Sequence, residues 1–138
     1  MTGEYQHTLD SKGRLFIPSK LRDKLGSIFY ATISIDDCLS LYSSEHWNKI
    51  KEKFDSLPSS QSRRMRQLFV NAACCELDGQ GRILLPQKLR DYVGLTKDVT
   101  IIGVSNHAEI WDSAKWAVQE QEELTKENIA AAIEELGF

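Results

Sequence analysis

The sequence predicts an α+β fold, mainly β, in which two pseudo-symmetric halves with flanking helices share one core. Three observations predict it. Residues 9–26, LDSKGRLFIPSKLRDKLG, return as residues 77–94, LDGQGRILLPQKLRDYVG, with ten of 18 positions identical at an offset of 68. Both copies run on into short apolar stretches of strand length and then into a helical pattern. A unit of about 50 residues is too small to bury a core by itself, so two such units are expected to pack about a pseudo-twofold axis as half-barrels of one domain.

Each unit justifies its elements in the same order. A short strand ends at Leu9 or Leu77 and gives way to a polar turn, Asp10-Ser11-Lys12-Gly13 or Asp78-Gly79-Gln80-Gly81. A second strand follows in Leu15-Phe16-Ile17 or Ile83-Leu84-Leu85. Pro18 or Pro86 suits the first turn of a short helix, because its fixed φ fits there and its missing donor is not needed. Leu21 and Leu25, or Leu89 and Val93, put one apolar face on that helix, and Gly26 or Gly94 is placed to end it. The next strands are expected over 28–35 and 99–104, then 39–42 and 108–111. Thr32-Ile33 matches Thr100-Ile101 at the same offset of 68. A further inserted residue then aligns Leu41-Tyr42 and Trp47 with Ile110-Trp111 and Trp116.

A helix is expected after Ser44 or Asp112, both good N-caps. In the first half it carries Trp47, Ile50, Phe54 and Leu57 until Pro58-Ser59-Ser60 breaks it. A second helix from about Ser62 to Phe69 sets Met65, Leu68 and Phe69 against Arg63, Arg64 and Arg66. Residues 70–77 then read as the opening strand of the second unit. Beyond Trp116 the chain reads as helical and acidic, with a thin apolar stripe of Ile129, Ile133 and Leu136 able to dock on a partner or on the body. The resulting division is a first repeat over 3–48, a helical linker over 49–69, a second repeat over 70–117 and an acidic helical tail over 118–138.

Composition excludes several classes. No apolar run reaches the roughly 20 residues of a membrane span, and the first residues lack a signal-peptide pattern, so a cytoplasmic protein is expected. Three cysteines, at 38, 74 and 75, make no disulfide framework. Cys74 and Cys75 are neighbours in a strand and point to opposite faces, so they form no ligand pair. His7, His46 and His107 stand at no metal-ligand spacing. No nucleophile elbow, phosphate loop or dinucleotide fingerprint is present. The expectation is a non-enzyme with no cofactor, no metal and no small-molecule substrate.

Charge is uneven. The net charge of -3 hides +3 over residues 1–70 and -6 over residues 71–138, of which 118–138 alone hold -5. The body without that tail is mildly basic, and the local field decides an encounter with a polyanion. Within it the repeated Asp-x-x-x-Arg, Asp10 to Arg14 and Asp78 to Arg82, brings a carboxylate to a guanidinium across a tight turn. Asp10, Asp78, Gly13 and Gly81 are expected to structure the loops. The Arg forks suit phosphate oxygens and guanine edges. Lys12, Lys20, Arg22, Lys88 and Arg90 extend the basic surface, either as DNA contacts or as the solvated face of short helices. Gln80 and Tyr92 replace Lys12 and Lys24, so the first repeat should dominate. Arg63, Arg64 and Arg66 read as a solvated helix face or an intersubunit contact.

The motifs Gly3-Glu4-Tyr5, His7-x-Leu9-Asp10-x-Lys12-Gly13-Arg14-x-x-Ile17-Pro18, Asp78-x-x-Gly81-Arg82-Ile83-x-x-Pro86 and Glu109-Ile110-Trp111-Asp112 resemble the MraZ family of tandem SpoVT-AbrB proteins. That resemblance spans nearly the whole chain. It implies a double-split, swapped-hairpin AbrB-type β-barrel. It further implies a ring-shaped homo-oligomer that binds direct repeats in promoter DNA of the bacterial division and cell-wall gene cluster, as a repressor associated with the nucleoid. By the same resemblance Arg14 and Arg82 sit on DNA-facing loops, Lys12 matches a basic loop position, Gln80 departs from it, and Pro18 and Pro86 are structural. The competing expectation is an oligomeric protein-interaction scaffold without specific DNA binding.

Overall fold

The computed structural model describes all residues, 1–138. The chain runs β1 (Glu4–Thr8), β2 (Arg14–Phe16), α1 (Ser19–Leu25), β3 (Ile28–Ile33), β4 (Leu39–Ser43), α2 (Ser44–Asp55), α3 (Ser59–Val70), β5 (Ala73–Glu76), β6 (Arg82–Leu84), α4 (Gln87–Tyr92), β7 (Asp98–Val104), β8 (His107–Asp112), α5 (Ser113–Glu123) and α6 (Lys126–Leu136). The fold is α+β and mainly β in its core, of the AbrB-like kind. Six strands form one antiparallel sheet in the order β1-β7-β8-β4-β3-β5, and β2 pairs with β6 in a separate two-stranded ribbon. The ladders do not close into a continuous ring. The ribbon instead shuts the sheet off from solvent through side chains, with Leu15, Ile17, Ile83 and Leu85 in the same buried cluster as the sheet's inward face.

The two units are exchanged. β1 of the first unit pairs with β7 of the second, and β5 of the second pairs with β3 of the first. The pseudo-twofold axis is legible in the two symmetric ladders. β2 and β6 pair about Leu15 opposite Ile83, and β4 and β8 pair about Ser40 opposite Glu109. The core follows the same symmetry. Leu15/Ile83, Ile17/Leu85, Leu21/Leu89, Leu25/Val93, Phe29/Val99, Ala31/Ile101, Leu39/Ala108 and Leu41/Ile110 are all buried as equivalent pairs. Burial of each large member is worth about 1.5–3 kcal/mol, and neither unit retains that burial without the other.

The pairing corrects the register of the repeat. Leu9 N donates to the Lys97 carbonyl and Leu77 N to the Ser27 carbonyl. Lys97 is therefore the equivalent of Ser27, and the second unit carries two extra residues between α4 and β7. Tyr30-Ala31, not Thr32-Ile33, occupy the places of Thr100-Ile101, since they face Tyr42-Leu41 as Thr100-Ile101 face Trp111-Ile110. The match of Thr32-Ile33 arose from sequence identity without structural equivalence.

Several element ends also differ from the sequence expectation. Pro18 and Pro86 stand just before their helices, with extended ψ of 138° and 144°, and their carbonyls accept the first helical hydrogen bonds. β3 stops at Ile33, and Ile35 lies fully exposed in the turn beyond it. Ser43 rather than Ser44 caps α2, its Oγ accepting from His46 N at 3.2 Å. Pro58-Ser59-Ser60 breaks one helix by starting the next, so α3 begins at Ser59 and Leu57 falls between helices. That helix runs through Val70, which leaves only Ala73–Glu76 for the strand. The tail is two helices, because Thr125 caps α6 by accepting from Asn128 N at 3.1 Å. Its apolar stripe stays largely exposed, at 44% for Ile129, 38% for Ile133 and 76% for Leu136.

Candidate nucleic-acid interface

The ribbon and the two turns that feed it build the site. In the first turn the Asp10 carboxylate accepts from Lys12 N at 3.0 Å, Arg14 N at 2.8 Å and Arg14 Nε at 2.6 Å. The second repeats this with Asp78 accepting from Gln80 N at 2.8 Å, Arg82 N at 3.0 Å and Arg82 Nε at 3.0 Å. Gly13 and Gly81 close the turns at φ of 85° and 76°, a region that favours glycine. The backbone hydrogen bonds hold both carboxyls below the usual carboxylate range, those from Arg14 N on Asp10 and Arg82 N on Asp78 acting most strongly. Each carboxylate thus organises the turn and fixes the root of its arginine together. Only Nε is spent on the aspartate, and the outer guanidinium nitrogens of Arg14 and Arg82 make no bond within the chain.

Strand periodicity then aims these arginines. Leu15 and Ile83 point into the core, so their neighbours Arg14, Phe16, Arg82 and Leu84 share the outer face of the ribbon. Antiparallel pairing sets Arg14 opposite Leu84 and Arg82 opposite Phe16. The two arginines lie two residues apart along the ribbon, about 7 Å. Phe16 and Leu84 were not among the expected site residues. The signal that could have found them is the period of two that links each to its arginine.

The helical basic residues divide into two kinds. Lys20 and Lys88 are exposed at the starts of α1 and α4 and, like Lys12 in its loop, form no ion pair. Arg22 and Arg90 are not a solvated face. Each reaches over the turn of the other unit. A Cβ on Gly13 would lie 2.7 Å from Arg90 Cζ, and one on Gly81 would lie 2.5 Å from Arg22 Nη1. Arg90 Nε donates to the Leu85 carbonyl at 3.0 Å. Arg22 sits 5.1 Å from the Phe16 ring centroid, and its Nε is buried without a partner. Both turns therefore need glycine for a second reason: an arginine from the other unit occupies the space a side chain would take.

The remaining chemistry-bearing side chains lie elsewhere. Burial pushes the Cys38 thiol well up, and pushes Cys75 up to about 12, so both stay protonated. Cys74 is exposed and Cys75 buried, on opposite faces of β5. His7 packs against Phe16 at 5.1 Å, and burial lowers its pKa. His107 Nε2 lies 2.8 Å from Glu109 Oε2 on β8, an interior strand of the six-stranded sheet that contributes nothing to either turn. No helix is long and apolar enough to cross a membrane.

Known proteins similar to this chain are regulators by name. The model of the MraZ protein family, described as antitoxin-like, matches residues 1–70 and again residues 68–136. A protein of Acetivibrio thermocellus named transcriptional regulator MraZ is 48% identical over 99% of this chain and 98% of its own length. One of the same name from Natranaerobius thermophilus is 49% identical over 95% of this chain and 94% of its own. A third, from Caldicellulosiruptor bescii, is 45% identical over 100% and 99%. The double match, the near-complete coverage and the two intact Asp-x-x-x-Arg turns agree: the chain belongs to the MraZ family.

Proposed function

We propose that this chain is a transcription regulator that binds promoter DNA through the β2–β6 ribbon and its two turns, with no catalytic step. The observation that carries the reading is the pair of aspartate-anchored arginines, Arg14 and Arg82, on one outer face with their terminal nitrogens free. A two-stranded ribbon is narrow enough to enter a major groove. Arg14, and more weakly Arg82, reads base edges or groove shape there. Lys12, Lys20 and Lys88 neutralise phosphates and set position, while Arg22 and Arg90 hold the turns in shape and add positive potential. The relatives' shared name supports the same reading.

One ribbon offers few contacts, so avidity supplies the rest. A ring-shaped homo-oligomer places several ribbons along a duplex carrying direct repeats. Later contacts then become intramolecular, raising affinity by about 10²–10⁴. Family resemblance supports the division and cell-wall gene cluster as the proposed target and repression as the proposed outcome.

The test is fluorescence anisotropy on duplexes with one, two or four direct repeats, at two salt concentrations. The expected result is affinity that rises with repeat number and falls steeply with salt as counterions are released. Binding indifferent to repeat number would reduce the interface to general polyanion contact. No binding by the folded protein would leave the scaffold reading.

A further inference from the structure

Leu84 is 61% exposed on the outer face of the β2–β6 ribbon. A single exposed leucine is ordinary on a protein surface, but the place of this one is not. The face carries four side chains, Arg14, Phe16, Arg82 and Leu84, because Leu15 and Ile83 point into the core. Each arginine faces an apolar residue across the ladder, Arg14 opposite Leu84 and Arg82 opposite Phe16. The fold treats the two apolar members differently. The Phe16 ring is half-buried, with the His7 ring centroid 5.1 Å from its own and Arg22 Cζ also 5.1 Å from it. In the second unit the counterparts differ. Cys75 stands in the place of His7, as Leu77 stands in the place of Leu9, and it is buried. Arg90, the counterpart of Arg22, is bonded through Nε to the Leu85 carbonyl. Leu84 is left open to solvent, directly across from a guanidinium whose outer nitrogens are free.

An occupant of this face must meet two guanidiniums and an alkyl group together. A second ribbon does not fit, since it brings two more arginines while the Asp10 and Asp78 carboxylates are already held in their turns. A phosphate backbone satisfies the arginines and gives the leucine nothing to bury against. The floor of a major groove satisfies both. Guanine offers N7 and O6 to an arginine fork, and thymine alone among the four bases presents a methyl group there. We infer that Leu84 is a specificity residue that packs on the C5-methyl group of a thymine close to the base read by Arg14. Residues directly opposite on a ladder stand about 4.5–5.5 Å apart at Cβ, against about 3.4 Å between successive bases, so the two contacts fall within about two base steps of each other. The inference rests on the DNA reading and adds to it a preference for one base that the arginines cannot supply. Phe16 does not share the role, because its ring is already occupied by His7 and Arg22.

Deoxyuridine tests it, because it pairs as thymidine does and lacks only the methyl group. Anisotropy titrations compare a two-repeat duplex with the same duplex carrying deoxyuridine in place of every thymidine. The parent should bind the thymine duplex more tightly, by about fourfold for each repeat engaged, the worth of one buried methyl group. Leu84→Ala should bind both duplexes alike, close to the parent's affinity for the uracil form. Leu84→Met keeps an apolar end and should keep the preference, which separates a lost contact from a damaged fold. A parent indifferent to the methyl groups, a Leu84→Ala variant that retains the parent's ratio, or a Leu84→Met variant that loses it would each overturn the inference and leave the DNA reading standing. Failure of the folded parent to bind either duplex would overturn both.

Discussion

The two turns of this molecule share a skeleton and differ in everything mounted on it. Asp10 and Asp78 each hold two backbone N–H groups and one arginine Nε. Gly13 and Gly81 adopt the same positive φ and lie under an arginine of the opposite unit. Around that frame the first turn has Lys12 where the second has Gln80, and Phe16 where the second has Leu84. The crossing arginines differ as well, Arg90 being tied to a carbonyl and Arg22 resting on a ring. The framework is repeated because backbone geometry demands it. Recognition is free to diverge at Lys12 and Gln80 because each bonds the turn aspartate through its backbone N alone, leaving the side chain unconstrained.

The comparison can be broken at four levels. The largest effect is expected where the halves are most alike. Leu15→Ala and Ile83→Ala, at the centre of the ribbon ladder and fully buried, should each cost about 2–5 kcal/mol of stability. Urea unfolding should show similar losses for both, and a markedly milder loss at Ile83 would mean the second unit contributes less to the shared core.

At the DNA surface the halves should separate. Arg14→Ala is expected to weaken binding by about 1–3 kcal/mol, roughly 5- to 150-fold, with Arg82→Ala costing less and Lys24→Ala least. Anisotropy titrations on one duplex read all three, and equal small losses would remove Arg14 from its assigned role. A finer probe exchanges the loop residues. Lys12→Gln should lower the slope of log affinity against log salt by about one, and Gln80→Lys should raise it by about one. Slopes that do not move would place both residues away from phosphate.

The smallest difference is expected in acid. Both aspartates have folded pKa values below their unfolded value near ~3.9. Their stabilisation is therefore fully present above that pH and is lost as pH falls through the depressed folded values. Burial lowers His7 too, so its loss has the same sign but sets in higher, as pH falls below about 6.5. Urea midpoints measured from pH 7 to pH 2.5 should thus drop most steeply below about pH 4. Asp10→Asn and Asp78→Asn should each flatten that last drop to a similar degree while leaving the His7 component in place.

Much of the fold was legible because its determinants are local. Asp10 and Arg14 lie four residues apart, Leu21 and Leu25 one helical turn apart, and the turn glycines sit where the chain must reverse. The repeat itself announced two halves. The misjudged ends had local causes too: Pro58 both stops α2 and opens α3, and Ser43 competes with Ser44 for one cap. The offset error at Thr32-Ile33 came from identity in a strand, where alternating apolar residues fit several registers.

What the sequence by itself determined is therefore the unit: its strands, its turns, its anchored arginines and the residues that face inward. Only the tertiary structure decided how the units combine. Exchange of β1 and β5 between halves leaves the apolar pattern of every strand unchanged, so periodicity cannot distinguish exchanged from separate pairing. The same holds for Arg22 and Arg90, whose i,i+4 surroundings read as an exposed helix face. Their positions over Gly81 and Gly13 depend on packing between residues 59 and 77 apart in the chain. Interactions closed within one turn of chain leave a mark in sequence, whereas contacts between two similar halves are fixed by packing after both have formed.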